Sequence, residues 1–261
     1  MPALHRCGPR FALALLLVLA SALGAPAFAG LAETVARVKP SVVIVGTFRA
    51  TDSPRFQLRG TGFLVGDGQR LVTNAHVLPD GPMGSGEPAL VVQVRTGTGE
   101  WQMRSVSLLG RDDARDLALL RMTGEPGPAL KLGDSSRVRE GDSLAFTGFP
   151  IGGVLGYAPV THRAMVSSIT VAALPSPSAQ RLREQAIRSL RQGNFEIFQL
   201  DATAYPGNSG GPLFDPETGE VMGVMNMVLI KGTRESALTQ PSGISYAIPV
   251  RHVHELLQRH P

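Results

Sequence analysis

A single cysteine, Cys7, excludes a fold stapled by disulfides within this chain of 261 residues. Zinc-type ligand spacing is missing too. His252, His254 and His260 have no cysteine or carboxylate at metal-site spacing, read as a solvated helix face, and imply no metal. No organic cofactor is called for either. Aromatic residues make up only 5% of the chain, and no basic cluster is interleaved with them, so nucleic acid is not an expected partner. Net charge is small: +4 overall, and +2 (23 basic against 21 acidic) once Arg6 and Arg10 are set aside. The apolar run Phe11 to Leu23 is too short to span a bilayer easily. It follows His5, Arg6 and Arg10 and precedes Ala27-Phe28-Ala29, the small-x-small pattern of a cleavage site. Residues 1–29 are therefore expected to be an export signal, leaving Gly30 at the mature N-terminus and no stable membrane insertion after cleavage. An uncleaved anchor is the competing reading. What the chain does have is 43% hydrophobic residues, 30 glycines and 20 prolines, which suits many short strands joined by turns.

The most informative stretch is Asp201 to Phe214, DATAYPGNSGGPLF. A serine hydroxyl is a weak nucleophile at neutral pH and needs both a base and donors aimed at the developing oxyanion. Gly207, Asn208, Ser209, Gly210 and Gly211 permit a tight turn whose backbone N–H groups converge, with Gly207 and Ser209 as the oxyanion donors and Asn208 between them. The bland alternative is a Gly-rich turn before a strand. The nucleophile reading demands a histidine and a carboxylate upstream. VTNAHV ends a β-branched run in His76, and Asp116 opens the apolar run DLALLRM. Asp112 and Asp113 compete for the acid role, but neither directly opens that strand. The order His76, Asp116, Ser209 is that of the chymotrypsin-type triad.

Together with KPSVVIV at Lys39, GTGFLV at Gly60, LVTNAHV at Leu71, GFPIG at Gly148 and GISYAIP at Gly243, these pieces make the chain resemble a trypsin-like serine protease of the HtrA (Deg) type. The resemblance runs over nearly the whole chain after residue 29. It implies an all-β fold of two six-stranded antiparallel β-barrels and a serine endopeptidase acting on polypeptides, without a cofactor. The lack of disulfides sets the chain apart from digestive relatives and points to a bacterial periplasmic or secreted enzyme acting on unfolded or damaged exported proteins. HtrA proteins usually carry a PDZ domain after the protease; here twelve residues follow Pro249, and no such domain is expected. The resemblance also puts Thr203 at the base of the specificity pocket and Asn226, Met227 and Val228 on its wall, favouring small or medium apolar side chains before the scissile bond. A peptide-binding or chaperone-like protein with little proteolysis is the alternative, and the oligomeric state is left open.

Taken in order, Leu31–Val38 has helical spacing ahead of Pro40. Six strands are expected at 41–48, 60–65, 70–74, 89–95, 103–109 and 117–122, forming a first barrel over about 41–124. A connector spans 125–139. Six more strands at 143–148, 160–170, 195–200, 212–214, 221–229 and 244–248 form a second barrel over about 140–250, and a helix closes the chain at 251–259. The interval 173–194 is either a short surface helix or a regulatory loop.

Overall fold

In a computed structural model, residues 30–79, 88–97, 99–150, 156–171, 195–226 and 243–261 are described. The predicted export signal, the 173–194 interval and the expected pocket residues Met227 and Val228 lie outside them.

Helix α1 (Leu31–Val38) leads into β1 (Val42–Phe48), β2 (Phe56–Val65), β3 (Arg70–Thr73), β4 (Ala89–Arg95), β5 (Trp101–Asp112) and β6 (Leu117–Met122). These close into a barrel of order β1-β2-β3-β6-β5-β4 with antiparallel neighbours throughout. A second barrel of order β10-β11-β12-β9-β8-β7 uses β7 (Ser143–Gly148), β8 (Val160–Val171), β9 (Glu196–Asp201), β10 (Pro212–Phe214), β11 (Val221–Asn226) and β12 (Ile244–Pro249). Helix α2 (Arg251–Arg259) follows. This is the expected double barrel with its two short helices. Among the described residues, closure pairs both sides of every barrel strand, which removes a route to edge-to-edge association.

Alternation within the strands sends side chains to different cores. Val43 and Val45 of β1 pack with Leu64, Leu71, Val92 and Leu120 inside the first barrel. Their neighbours Val42 and Ile44 face the other way, into a core shared with Phe214, Val224 and Ile248 of the second barrel and with Val253 and Leu256 of α2. Phe146, Phe198, Leu200, Leu213 and Met225 fill the second barrel. The shared middle core fixes the barrels against each other. β1 and β11 are apolar on both faces for this reason, and they read as continuous hydrophobic runs.

The predicted connector ties the two barrels together. Leu130 N–H donates to Leu64 O at 2.8 Å, and Gly133 N–H donates to Val221 O at 2.9 Å. Three expectations are corrected. β2 begins at Phe56 rather than 60. β5 runs from Trp101 to Asp112 rather than 103–109, because its exposed polar residues pair along the ladder though they carry no apolar alternation. The face carrying His252 is not solvated: His252 is 5% exposed and makes an edge contact with Phe195.

Candidate active site

β3 ends in the single turn Ala75–Val77, which carries His76. Arg59 holds the backbone just beyond it, donating from Nε to Val77 O at 2.6 Å and from Nη2 to Leu78 O at 2.8 Å. Asp116 sits at the mouth of β6 with φ 54°, a left-handed conformation uncommon for an aspartate. Its carbonyl accepts from Ala75 N–H at 3.1 Å and from Asn74 Nδ2 at 3.0 Å. Its carboxylate takes the His76 backbone N–H on Oδ1 at 2.8 Å and stands 2.6 Å from His76 Nδ1 through Oδ2. One carboxylate thus fixes both the backbone and the ring of the histidine.

A further donor reaches this carboxylate from the second barrel. Asn226 Nδ2 donates to Asp116 Oδ2 at 2.7 Å, and Asn226 is 1% exposed. Expected on the pocket wall, Asn226 directs its amide at the acid. Sequence alternation offered no way to find this, since every residue of β11 is buried.

Across the barrel boundary, Ser209 is 4% exposed, between Gly207 at φ 106° and Gly210 at φ 84°. Both glycines are needed twice over. A Cβ on Gly207 would lie 2.1 Å from Phe149 O, and one on Gly210 would lie 2.1 Å from Thr61 O and 2.3 Å from Thr73 Oγ1. The loop is pinned by Asn208 N–H to Tyr205 O at 3.0 Å and Gly210 N–H to Met225 O at 2.9 Å. It also accepts a bond from the first barrel, Thr61 N–H to Ser209 O at 2.8 Å. Gly210 therefore abuts Thr73 and Asn74, the residues leading into the His76 turn. Asn208 is fully buried, and neither atom of its side-chain amide has a hydrogen-bond partner among the described residues. Thr203 is half-buried just before this loop.

The competing carboxylates are spent elsewhere. Asp113 is an exposed side chain paired with Arg111. Asp112 is buried and accepts from Arg115 Nη1 at 3.0 Å and Arg259 Nη2 at 2.7 Å. Burial pushes its pKa up, but Arg259 and Arg115 outweigh that and hold it below the usual carboxylate range. Among the described residues no cluster of His, Cys, Asp and Glu could hold a metal ion.

The family model described as a trypsin-like peptidase domain matches residues 60–224. The chain belongs to the trypsin-like peptidase family. This trypsin-like chain is 34% identical over 252 residues to the mitochondrial serine protease HTRA2 of Bos taurus, covering 93% of the chain and 47% of that relative. It is 30% identical over 200 residues to mitochondrial HTRA2 of Drosophila pseudoobscura pseudoobscura, covering 77% of the chain and 38% of that relative. The chain thus spans less than half the length of these curated relatives. Among solved structures it is similar to the HtrA-type protease AlgW with a tripeptide: TM-score 0.63, 25% identity, 88% of this chain and 63% of that one covered. The HtrA-type resemblance carried by the motifs is therefore supported by both sequence and fold.

Proposed function

We propose that this chain is a serine endopeptidase using His76, Asp116 and Ser209. The observation that carries the reading is the 2.6 Å contact of His76 Nδ1 with Asp116 Oδ2, on a turn abutted by the glycine loop of Ser209. Held in this way, Nδ1 bears a proton directed at the carboxylate, which leaves Nε2 as the basic nitrogen. Nε2 takes the Ser209 proton as Oγ attacks the peptide carbonyl. The N–H groups of Gly207 and Ser209 receive the oxyanion, and the imidazolium then returns its proton to the leaving amine. Water repeats the cycle on the acyl-enzyme and regenerates Ser209. Asp116 orients His76 and stabilises its cation. Asn226 orients Asp116 in turn.

Substrates are polypeptides, with small or medium apolar residues preferred before the scissile bond. Thr203 brings no charge to the pocket base. Unfolded exported proteins in a periplasm or outside the cell are the natural pool, given residues 1–29. No helix among the described residues is long and apolar enough to cross a membrane.

The test is labelling by a fluorophosphonate probe alongside cleavage of an unfolded protein. The wild-type chain is expected to do both and the Ser209→Ala variant neither. Persistent labelling of Ser209→Ala, or a folded wild type inert in both assays, overturns the proposal. In a peptide library, cleavage after Arg or Lys in preference to Val, Ala or Leu would refute the pocket assignment alone.

A further inference from the structure

We propose that Thr61 is a positioning residue for the oxyanion loop, setting from the first barrel the peptide groups that the second barrel presents to substrate. The proposal rests on the reading of Gly207 and Ser209 as oxyanion donors.

Thr61 lies in β2 and is fully buried, with every polar group engaged. Its N–H donates to Ser209 O at 2.8 Å. Its hydroxyl donates to Gly207 O at 2.6 Å and accepts from Phe149 N–H at 3.1 Å. Its carbonyl accepts from Thr73 Oγ1 at 2.7 Å. One residue thus holds the carbonyls on both sides of the Asn208–Ser209 peptide, the peptide whose N–H is one of the two oxyanion donors. The same hydroxyl, accepting from Phe149 N–H, ties the segment leaving β7 to the loop, and Phe149 O stands 2.1 Å from where a Cβ on Gly207 would lie. Thr73, behind it, is three residues ahead of His76. A buried polar chain therefore connects the base's turn to the oxyanion loop across the barrel boundary.

The hydroxyl matters more than the volume it fills. Gly207 has no side chain to restrict its dihedrals, and at φ 106° it is in a region that other residues avoid. Its orientation is then fixed by what its carbonyl bonds to. Valine at position 61 would fill the same space but leave Gly207 O and Phe149 N–H unpaired in a dry site. The glycine is free to rotate toward another donor, and the Ser209 N–H moves off the oxyanion position. Misaligned oxyanion donors lower turnover without weakening ground-state binding.

The experiment compares Thr61→Val, Thr61→Ser and Thr61→Cys with wild type on a peptide amide substrate, and measures inhibition by a peptide aldehyde, whose hemiacetal carries an oxyanion. For Thr61→Val the expected result is a drop in kcat of roughly 10- to 100-fold with KM within about twofold, and a comparable loss of aldehyde affinity. Thr61→Ser, which keeps the hydroxyl, restores kcat to within about threefold of wild type. If Thr61→Val does not fold, Thr61→Cys, with a weaker donor, is read instead and should lose kcat severalfold at constant KM. Folded Val or Cys variants with normal kcat overturn the proposal, as does a serine variant as slow as valine. Activity surviving in Ser209→Ala would instead remove the endopeptidase reading beneath it.

Discussion

Asp116 is held in a conformation that costs an L-residue about 1–2 kcal/mol, and five donors from three neighbours and the facing strand keep it there. Ala75 and Asn74 hold its carbonyl, His76 grips the carboxylate twice, and Asn226 supplies the remaining bond. If the three act as the proposed unit, replacing Ser209 or His76 by alanine is expected to lower kcat on the order of a millionfold, and Asp116→Ala somewhat less. A steady-state assay with titrated active sites checks this. Asn226 separates two roles. Loss of a hydrogen bond to a charged group is worth about 1.5–3 kcal/mol, roughly 10- to 150-fold. Asn226→Ala should therefore lower kcat within that range and leave KM and side-chain preference unchanged. A shift in preference with kcat intact would instead favour the pocket-wall role expected for Asn226. His76, Asp116 and Ser209 could be proposed from sequence because each stands where an apolar strand meets a polar turn. Asn226 was not, because its strand is buried on both faces and its partner lies 110 residues away.

At the scale of elements, the informative case is α2, which leaves the second barrel and docks on the first. Arg259 reaches Asp112 at 2.7 Å, Arg115 joins Asp112 and Glu255, and the His260 ring lies against Gly110. Asp112 also caps the turn before Asp116, accepting Arg115 N–H at 3.1 Å. The sequence reading made Asp112 and Asp113 equal also-rans for the acid. They differ in burial, at 5% and 73% side-chain exposure. Asp112→Ala leaves two guanidiniums without their shared acceptor and should destabilise the fold by about 1–3 kcal/mol. Asp113→Ala should stay within about 0.5 kcal/mol. Urea unfolding of both variants decides it, and equal midpoints would sink the account. Strands with an apolar run, such as 89–95 and 117–122, were legible to the residue. β5 was not, because much of its ladder is exposed; the start of β2 was missed although Phe56 and Leu58 alternate with Gln57 and Arg59, because that alternation covers only four residues.

At the scale of the whole molecule, the barrels share one core, and two histidines lie outside it, His162 half-buried and His252 buried. His162 of β8 stacks on Phe146 with ring centroids 4.8 Å apart, and His252 sits in α2 beside Phe195. Burial lowers the pKa of both. For His252 the nearby Arg115 and Arg251 add to the effect, and Glu255 opposes it. A histidine whose folded pKa lies below its unfolded value, about 6.5, takes up a proton more readily when the chain unfolds. Between the folded pKa and 6.5 the unfolded state holds the extra proton, so stability rises with pH across that window. The contribution is complete above about 6.5 and is lost as pH falls below it. Asp112 works in the same direction but lower, losing its contribution only as pH falls through its depressed carboxylate pKa. Urea midpoints of the Ser209→Ala chain, chosen to prevent self-cleavage, should therefore drop from pH 7.5 to pH 5. His162→Phe preserves the stack on Phe146 and removes the titrating group, so it should flatten the slope without lowering the midpoint at pH 5. A variant with the wild-type slope would mean that His162 is already protonated in the fold and that its burial has been misjudged.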